Sequence, residues 1–136
     1  MSDKYEIGSM ASFSKTITEY DVYAFAGICG DFNPIHIDET AAEKSIFGRQ
    51  IVHGALVSSF ISTVLGMYMP GAGTIYLEQC CKFLKPVYIG DTITAKAVIE
   101  SIDDRRKAVL KTQVVKSTGE VVIEGEARVI LPEEQQ

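Results

Sequence analysis

Residues 53–66 of the chain read HGALVSSFISTVLG, and this stretch predicts the central element of the fold. Its apolar residues recur at helical spacing and cover most of the circumference, which predicts a buried helix from about His53 to Gly66. One stripe of this helix consists of small residues, among them Ala55 and Ser62, so a sheet or another backbone could approach it closely. A helix of this kind must be enclosed, so other elements of the chain have to pack around it.

The sequence after this helix has the periodicity of β-strands. Between Thr92 and Ile102, apolar residues occupy the odd positions and polar residues most of the even ones, the period of two that is typical of a half-buried strand. Two later stretches, 108–114 and 121–129, show the same alternation, and short polar segments connect the three. This pattern predicts an antiparallel meander. One enclosed helix followed by three or four long antiparallel strands predicts the α+β class, with the sheet curling around the helix.

A further helix is predicted upstream. Thr18 and Asp21 form a shortened version of the capping box, which is a sequence signal for the start of a helix. Val22 and Phe25 follow at helical spacing, and the helix should stop at Gly30. We expect all of these elements to belong to one domain that spans residues 1–136.

Composition and charge narrow the class of protein. With 136 residues, of which 46% are hydrophobic and 23% charged, the chain has the composition of one compact globular domain. Its net charge of -5 disfavours a protein that follows nucleic-acid phosphates, so we expect no nucleic-acid partner. The three cysteines, Cys29, Cys80 and Cys81, have neither the spacing of a zinc site nor the even count of a disulfide framework. They fit reduced thiols in a cytosol.

No segment of the sequence predicts export or a membrane partner. The first ten residues, MSDKYEIGSM, alternate charged and single apolar residues and lack the apolar stretch of a signal peptide. The most apolar region, from Ala55 to Met69, is shorter than the roughly 20 residues that cross a bilayer. We therefore expect a cytoplasmic protein.

The segment FAGICGDFNPIH, residues 25–36, contains the residues best suited to chemistry. Asp31 and His36 are five residues apart, which places them about 140° apart on a helix and on opposite faces of a strand. Gly30 and Pro34 disfavour a continuing helix, so a loop could fold both side chains into one cleft. A carboxylate and an imidazole that converge form a general acid/base pair. The alternative is that Asp31 forms a turn and His36 packs against the next element.

The same segment resembles a family signature. FAGICGDFNPIH, followed by five residues and Ala42, is similar to the hydratase 2 signature of the MaoC-like, R-specific enoyl-CoA hydratases. IVHG at residues 51–54 and FLKPVYIGDTI at residues 83–93 are similar to further segments of that family. The resemblance covers roughly residues 10–131.

This resemblance implies a fold, an activity and catalytic residues. The fold is the hot-dog fold, a curled antiparallel sheet wrapped around one long helix, and family members usually pair as homodimers. The activity is the reversible hydration of trans-2-enoyl-CoA to (R)-3-hydroxyacyl-CoA, with no metal or redox cofactor and with coenzyme A as part of the substrate. By position, Asp31 and His36 would be the catalytic pair, and the backbone N–H of Gly54 would donate to the thioester oxygen.

Three further residues are predicted at the substrate site. Asn33 would also brace the loop, because its side chain can bond nearby backbone groups. Ser62 and Leu65, late on the central helix, are placed by helical spacing as walls of an acyl pocket. His53 is expected to cap the entrance of that helix, with a second acid/base group as the alternative.

Other functions remain open at this point. A hot-dog thioesterase or an acyl-carrier-protein dehydratase would share the fold, since one fold hosts several reactions. A non-catalytic acyl-CoA-binding module would be expected to lack the acid/base pair. The segment from Asp31 to His36 therefore favours hydration, whereas nothing in the sequence sets the length of the acyl chain.

Overall fold

The computed structural model describes residues 5–133, and the ends of the predicted domain, residues 1–4 and 134–136, lie outside this range. The strands are β1 (Met10–Thr16), β2 (Ile75–Phe83), β3 (Thr92–Ile102), β4 (Lys107–Lys116) and β5 (Val121–Ile130). They form one antiparallel sheet in the order β1-β3-β4-β5-β2. The helices are α1 (Glu19–Cys29), α2 (Pro34–Ile37), α3 (Glu39–Glu43) and α4 (Gly54–Thr63), and α4 continues as a π-helical segment, Val64–Tyr68. This architecture confirms the predicted α+β class.

One face of α4 and of its π-helical extension forms the centre of the core. The buried side chains on this face are Leu56, Val57, Ile61, Val64 and Leu65. The helix α4 packs against β3 and β4, and the extension packs against β1 and β3. Among residues 5–133, no helix combines the length and the apolar character that crossing a membrane requires.

The opposite face of α4 is open. Ala55, Ser59, Ser62 and Gly66 on this face are exposed. The prediction that the whole helix is enclosed is therefore wrong for the single chain, because the stripe of small residues faces outward. The predicted end at Gly66 is also wrong, since the wider π-helical turns carry the helix to Tyr68.

The strand periodicity of the sequence corresponds to burial in the meander β3-β4-β5. The odd positions from Ile93 to Ile99 in β3 are buried, as predicted. In β5, Ile123, Ala127 and Val129 are buried as predicted, but the start of the strand differs. A shift in the β4–β5 register between Val114 and Val115 puts Val122 in the core, while Val121 is only half-buried.

Strand β1 has too weak an apolar pattern to be predicted from the sequence. Its positions alternate between exposed and half-buried, and Ala11 and Phe13 are the residues that pack against the core. Pairing with β3 defines the strand instead, and hydroxyl pairs such as Ser14 with Thr94, 2.7 Å apart, add to it.

Helix α1 begins and ends where the sequence predicts. The hydroxyl of Thr18 accepts from the N–H of Asp21, and the carboxylate of Asp21 accepts from the N–H of Thr18, so the capping box is complete. The hydrogen bond from this N–H lowers the pKa of Asp21. The helix ends at Gly30, whose φ of 84° is a left-handed conformation that favours glycine. The chain then turns into the loop that carries Asp31.

Strand β2 leaves no room for a side chain at Gly125 of the paired strand β5. A Cβ atom at this position would lie 1.8 Å from the carbonyl oxygen of Cys80. Only glycine fits there, because the atom in the way belongs to the backbone of the paired strand.

We expect Gly125→Ala to lower the free energy of unfolding by at least about 2 kcal/mol, because the strand has to shift to admit the methyl group. Urea unfolding followed by circular dichroism measures this loss. Gly27→Ala in α1 is the matched control, since its added Cβ meets no atom within 4 Å beyond its chain neighbours and the backbone of its own helix. The control should be neutral or stabilising by about 0.5–1 kcal/mol. Equal midpoints for wild type and Gly125→Ala would contradict the steric argument.

Candidate active site

The loop between α1 and α2 is shaped by two short polar side chains. Oδ1 of Asp31 accepts from the N–H of Asn33 at 3.1 Å, and Oδ1 of Asn33 accepts from the N–H of Ile35 at 3.2 Å. Pro34 occupies the first position of α2, where a missing N–H costs nothing. As predicted, α1 does not continue past Gly30, and the proline instead starts the single helical turn that carries His36.

The structure brings Asp31 and His36 together. Nε2 of His36 lies 4.0 Å from Oδ2 of Asp31, too far for a direct hydrogen bond. One water oxygen about 2.8 Å from each atom would span this gap. The Asp31 side chain is 52% exposed and that of His36 only 10% exposed, so water reaches the pair from the carboxylate side.

Backbone contacts fix the ring of His36. Its Nδ1 lies 2.7 Å from the carbonyl oxygen of Ile51. Because a carbonyl only accepts, Nδ1–H donates, and a neutral His36 keeps its lone pair on Nε2, the atom that faces Asp31. Nε2 of Gln50 donates to the carbonyl oxygen of His36 at 2.7 Å and also lies 3.1 Å from the hydroxyl of Tyr23. The imidazole therefore offers an oriented proton acceptor to the cleft.

The structure adds His53, which the sequence predicts as a helix cap. His53 is the N-cap residue of α4 by position, but its side chain makes no capping hydrogen bond. Its Nε2 lies 2.9 Å from the carbonyl oxygen of Asp31, and its ring stacks on that of His36 with 3.9 Å between centroids. The predicted capping role is therefore wrong. No spacing in the sequence indicates that the side chain of His53 contacts the backbone of Asp31.

Asp31, His36 and His53 each offer a possible metal ligand, and these atoms lie within 4.8 Å of one another. The ring arrangement is poorly suited to a metal. A metal lies in the plane of the imidazole that binds it, at about 2.0–2.1 Å, whereas the two rings are stacked at an interplanar angle of 26°. One nitrogen of each ring also lies close to a backbone carbonyl. The absence of a metal stays a prediction that this geometry supports.

Gly54 joins the start of α4 to a cavity. As the first residue of the helix, it has an N–H that no carbonyl of the helix can pair, and the side chain of His53 does not cap it. Gly54 lines a cavity of about 340 Å³ whose other walls are mostly apolar and include Val57 and Phe83. A Cβ at Gly54 would lie 2.8 Å from Cε1 of Phe83, so glycine leaves room for this ring.

The residues predicted at the substrate site lie in three different places. Asn33 is exposed and caps α2. Ser62 is on the open face of α4, and Leu65 is buried in the core. Ser62 and Leu65 are not among the residues that line the cavity beside Gly54. Their roles in substrate binding stay predictions.

Comparison with known proteins defines the class of the fold. The solved structure of the (R)-hydratase from Aeromonas caviae involved in PHA biosynthesis superimposes with a TM-score of 0.94 at 39% identity, and the match covers 96% of this chain and 100% of that chain. This agreement confirms the hot-dog fold that the resemblance implies.

Sequence comparison then defines the family. The profile of the MaoC like domain matches residues 6–121. An (R)-specific enoyl-CoA hydratase of Rhodospirillum rubrum is 46% identical over 125 residues, which are 92% of this chain and 87% of the relative. The (R)-specific enoyl-CoA hydratase of Aeromonas caviae is 41% identical over 128 residues, which are 93% of this chain and 96% of the relative. The chain belongs to the MaoC-like domain family.

Proposed function

We propose that this protein hydrates trans-2-enoyl-CoA to (R)-3-hydroxyacyl-CoA. The observation that carries the proposal is the approach of the Asp31 carboxylate to Nε2 of His36, at 4.0 Å, in a chain whose α4 N-terminus adjoins an apolar cavity. The names of the two relatives at 46% and 41% identity support hydration of a coenzyme A thioester. They favour it over a thioesterase, an acyl-carrier-protein dehydratase or a non-catalytic module.

The acid/base pair supplies the proton transfers of the reaction. Water adds to C3 of the conjugated thioester while C2 gains a proton, so the reaction needs a base for water and an acid for carbon. A water held between Asp31 and His36 meets two acceptors, the carboxylate and the lone pair on Nε2. The proton taken from this water is the one the product needs at C2. Either group can take it first, and the pair ends in its starting protonation state.

The N-terminus of α4 would stabilise the negative charge that develops on the substrate. As water adds, negative charge builds on the thioester oxygen, and fixed dipoles aimed at that oxygen lower the barrier. The N–H of Gly54 and the positive end of the helix dipole are such groups. Gly54 also lines the cavity, which supports a donor beside an apolar pocket that suits an acyl chain.

We propose that the reaction needs no cofactor and that the protein is located in the cytoplasm. Hydration transfers protons and water without a change of redox state, so the chain's own acid, base and dipole account for it. Cys29, Cys80 and Cys81 are free thiols, which supports a reducing compartment.

Crotonyl-CoA hydration tests the proposal directly. We expect loss of the conjugated thioester absorbance and a product that is almost entirely the R alcohol, because one face of the bound enoyl group meets the Asp31–His36 pair. Chiral chromatography of the hydrolysed product measures the outcome. A racemic or S product would exclude this proposal even if hydration were fast.

Each member of the pair should be required for turnover. We expect Asp31→Asn and His36→Gln, both close in size to the native residues, to fold and to lower hydration by at least about a hundredfold. Asp104→Asn, the same chemical change at an exposed turn between β3 and β4, is the control and should keep normal turnover. Normal activity in either site variant would remove that residue from the mechanism.

The donor role of Gly54 can be separated from its steric role. Proline removes the N–H and alanine keeps it, but both add a Cβ that meets Phe83, so the two are compared in a Phe83→Ala background. His53 has φ -54° and ψ 129°, an extended geometry that accepts a following proline. We expect the proline variant to turn over about 100-fold more slowly than the alanine variant. Equal rates would show that the oxygen is stabilised by another group.

We also propose a homodimer. Within residues 5–133, β2 pairs with a strand on one side only, and its large apolar residues Ile75, Leu77 and Phe83 are about half exposed (53%, 48% and 59%). An open edge of this kind readily pairs with another chain.

Light scattering should give about twice the 14.9 kDa of one chain over a dilution series. The apolar edge of β2 is the physical reason, since exposing it to water costs free energy. A fully active species with the mass of a single chain at every concentration would contradict the dimer.

A further inference from the structure

His53 contacts both members of the acid/base pair, and the steps described so far do not use it. The residue is only 2% exposed. Its Nε2 reaches the carbonyl oxygen of Asp31 at 2.9 Å, one ring face stacks on His36, and Phe25 of α1 packs edge-on with 5.0 Å between centroids. The hydrogen bond connects this buried ring to the loop that carries Asp31.

The contacts define the protonation of His53. The carbonyl oxygen of Asp31 only accepts, so Nε2 carries the hydrogen. Nδ1 is buried without a hydrogen-bond partner within residues 5–133. A proton there would bury a charged donor without an acceptor, next to the ring of His36, which is energetically costly. In its neutral form, His53 therefore carries its hydrogen on Nε2.

Because of the position of His53 in the chain, this hydrogen bond connects two parts of the candidate site. His53 directly precedes Gly54, so it ties the backbone of Asp31 to the start of α4. The Asp31 side chain is half exposed and is otherwise held by a local turn with Asn33. Small displacements of a reacting group are expensive, with about 100-fold in rate lost for a misplacement of about 1 Å.

We propose that His53 is a positioning residue for the hydration reaction, acting through its Nε2–H on the backbone of Asp31. The inference rests on the proposed function, because it assigns a role relative to the Asp31–His36 pair. The hydrogen bond from His53 holds the Asp31 carboxylate in a fixed position relative to Nε2 of His36 and to the N–H of Gly54. Because Nε2 is directed toward Asp31, Nδ1 is buried with no hydrogen-bond partner among residues 5–133.

Two variants separate the hydrogen bond from the ring. His53→Phe keeps a flat ring that can stack on His36 and Phe25 but has no donor. His53→Gln lacks the ring but carries an amide nitrogen about as far from the backbone as Nε2. Circular dichroism and thermal melting verify that each variant is folded at the assay temperature.

We expect folded His53→Phe to lose about tenfold or more in kcat with KM changed less than about twofold, because alignment and not substrate affinity is lost. His53→Gln should recover kcat to within about threefold of wild type. Wild-type kcat in His53→Phe would overturn the proposal. So would a His53→Gln variant that is no faster than His53→Phe.

Nitrogen-15 NMR of the imidazoles in the wild-type chain gives a readout independent of activity and of the folding of variants. We expect the hydrogen of His53 on Nε2 and that of His36 on Nδ1 at neutral pH. A hydrogen on Nδ1 of His53 would overturn the proposal. If the wild type failed to hydrate crotonyl-CoA, the proposed function would fall, while the NMR spectrum would still report separately whether the His53–Asp31 hydrogen bond exists.

Discussion

The packing of α4 against the inner face of the sheet is the interaction on which the site depends. Val57 and Ile61 are buried against the strands, so the helix cannot slide or rotate without opening the core. This contact fixes the first turn of α4, where Gly54 presents its N–H and His53 extends to the neighbouring loop. The hydrophobic effect that stabilises the fold thereby also places polar groups at the edge of the core.

Two backbone carbonyl groups determine which ring nitrogen of each histidine carries the hydrogen. The carbonyl of Ile51 receives Nδ1–H of His36, and the carbonyl of Asp31 receives Nε2–H of His53. The rings consequently stack with their hydrogens on different nitrogens. Only His36 directs a lone pair toward the carboxylate of Asp31, so the two imidazoles, although in contact, have different roles.

The parts of the fold that burial controls could be predicted from the sequence. The period-two pattern of β3, the capping box at Thr18 and the approach of Asp31 to His36 are confirmed. Strand β1 could not be predicted, since its hydrogen bonds to β3 define it more than its apolar side chains do. The role of His53 depends on a tertiary contact 22 positions back along the chain, which no local pattern encodes.

The walls of the cavity beside Gly54 differ in how freely they can evolve. Val57 and Ile123 belong to the core, where a change of volume disturbs many neighbours. Phe83 and Leu84 form another part of the same wall, but they lie at the end of the edge strand and are about half exposed. Substitutions at exposed positions usually change stability by less than about 0.5 kcal/mol. Phe83 also belongs to the edge that we propose pairs with a second copy. Under the proposed function, divergence in the size of the bound acyl chain can therefore accumulate at Leu84 while selection holds Asp31, His36 and Gly54 constant.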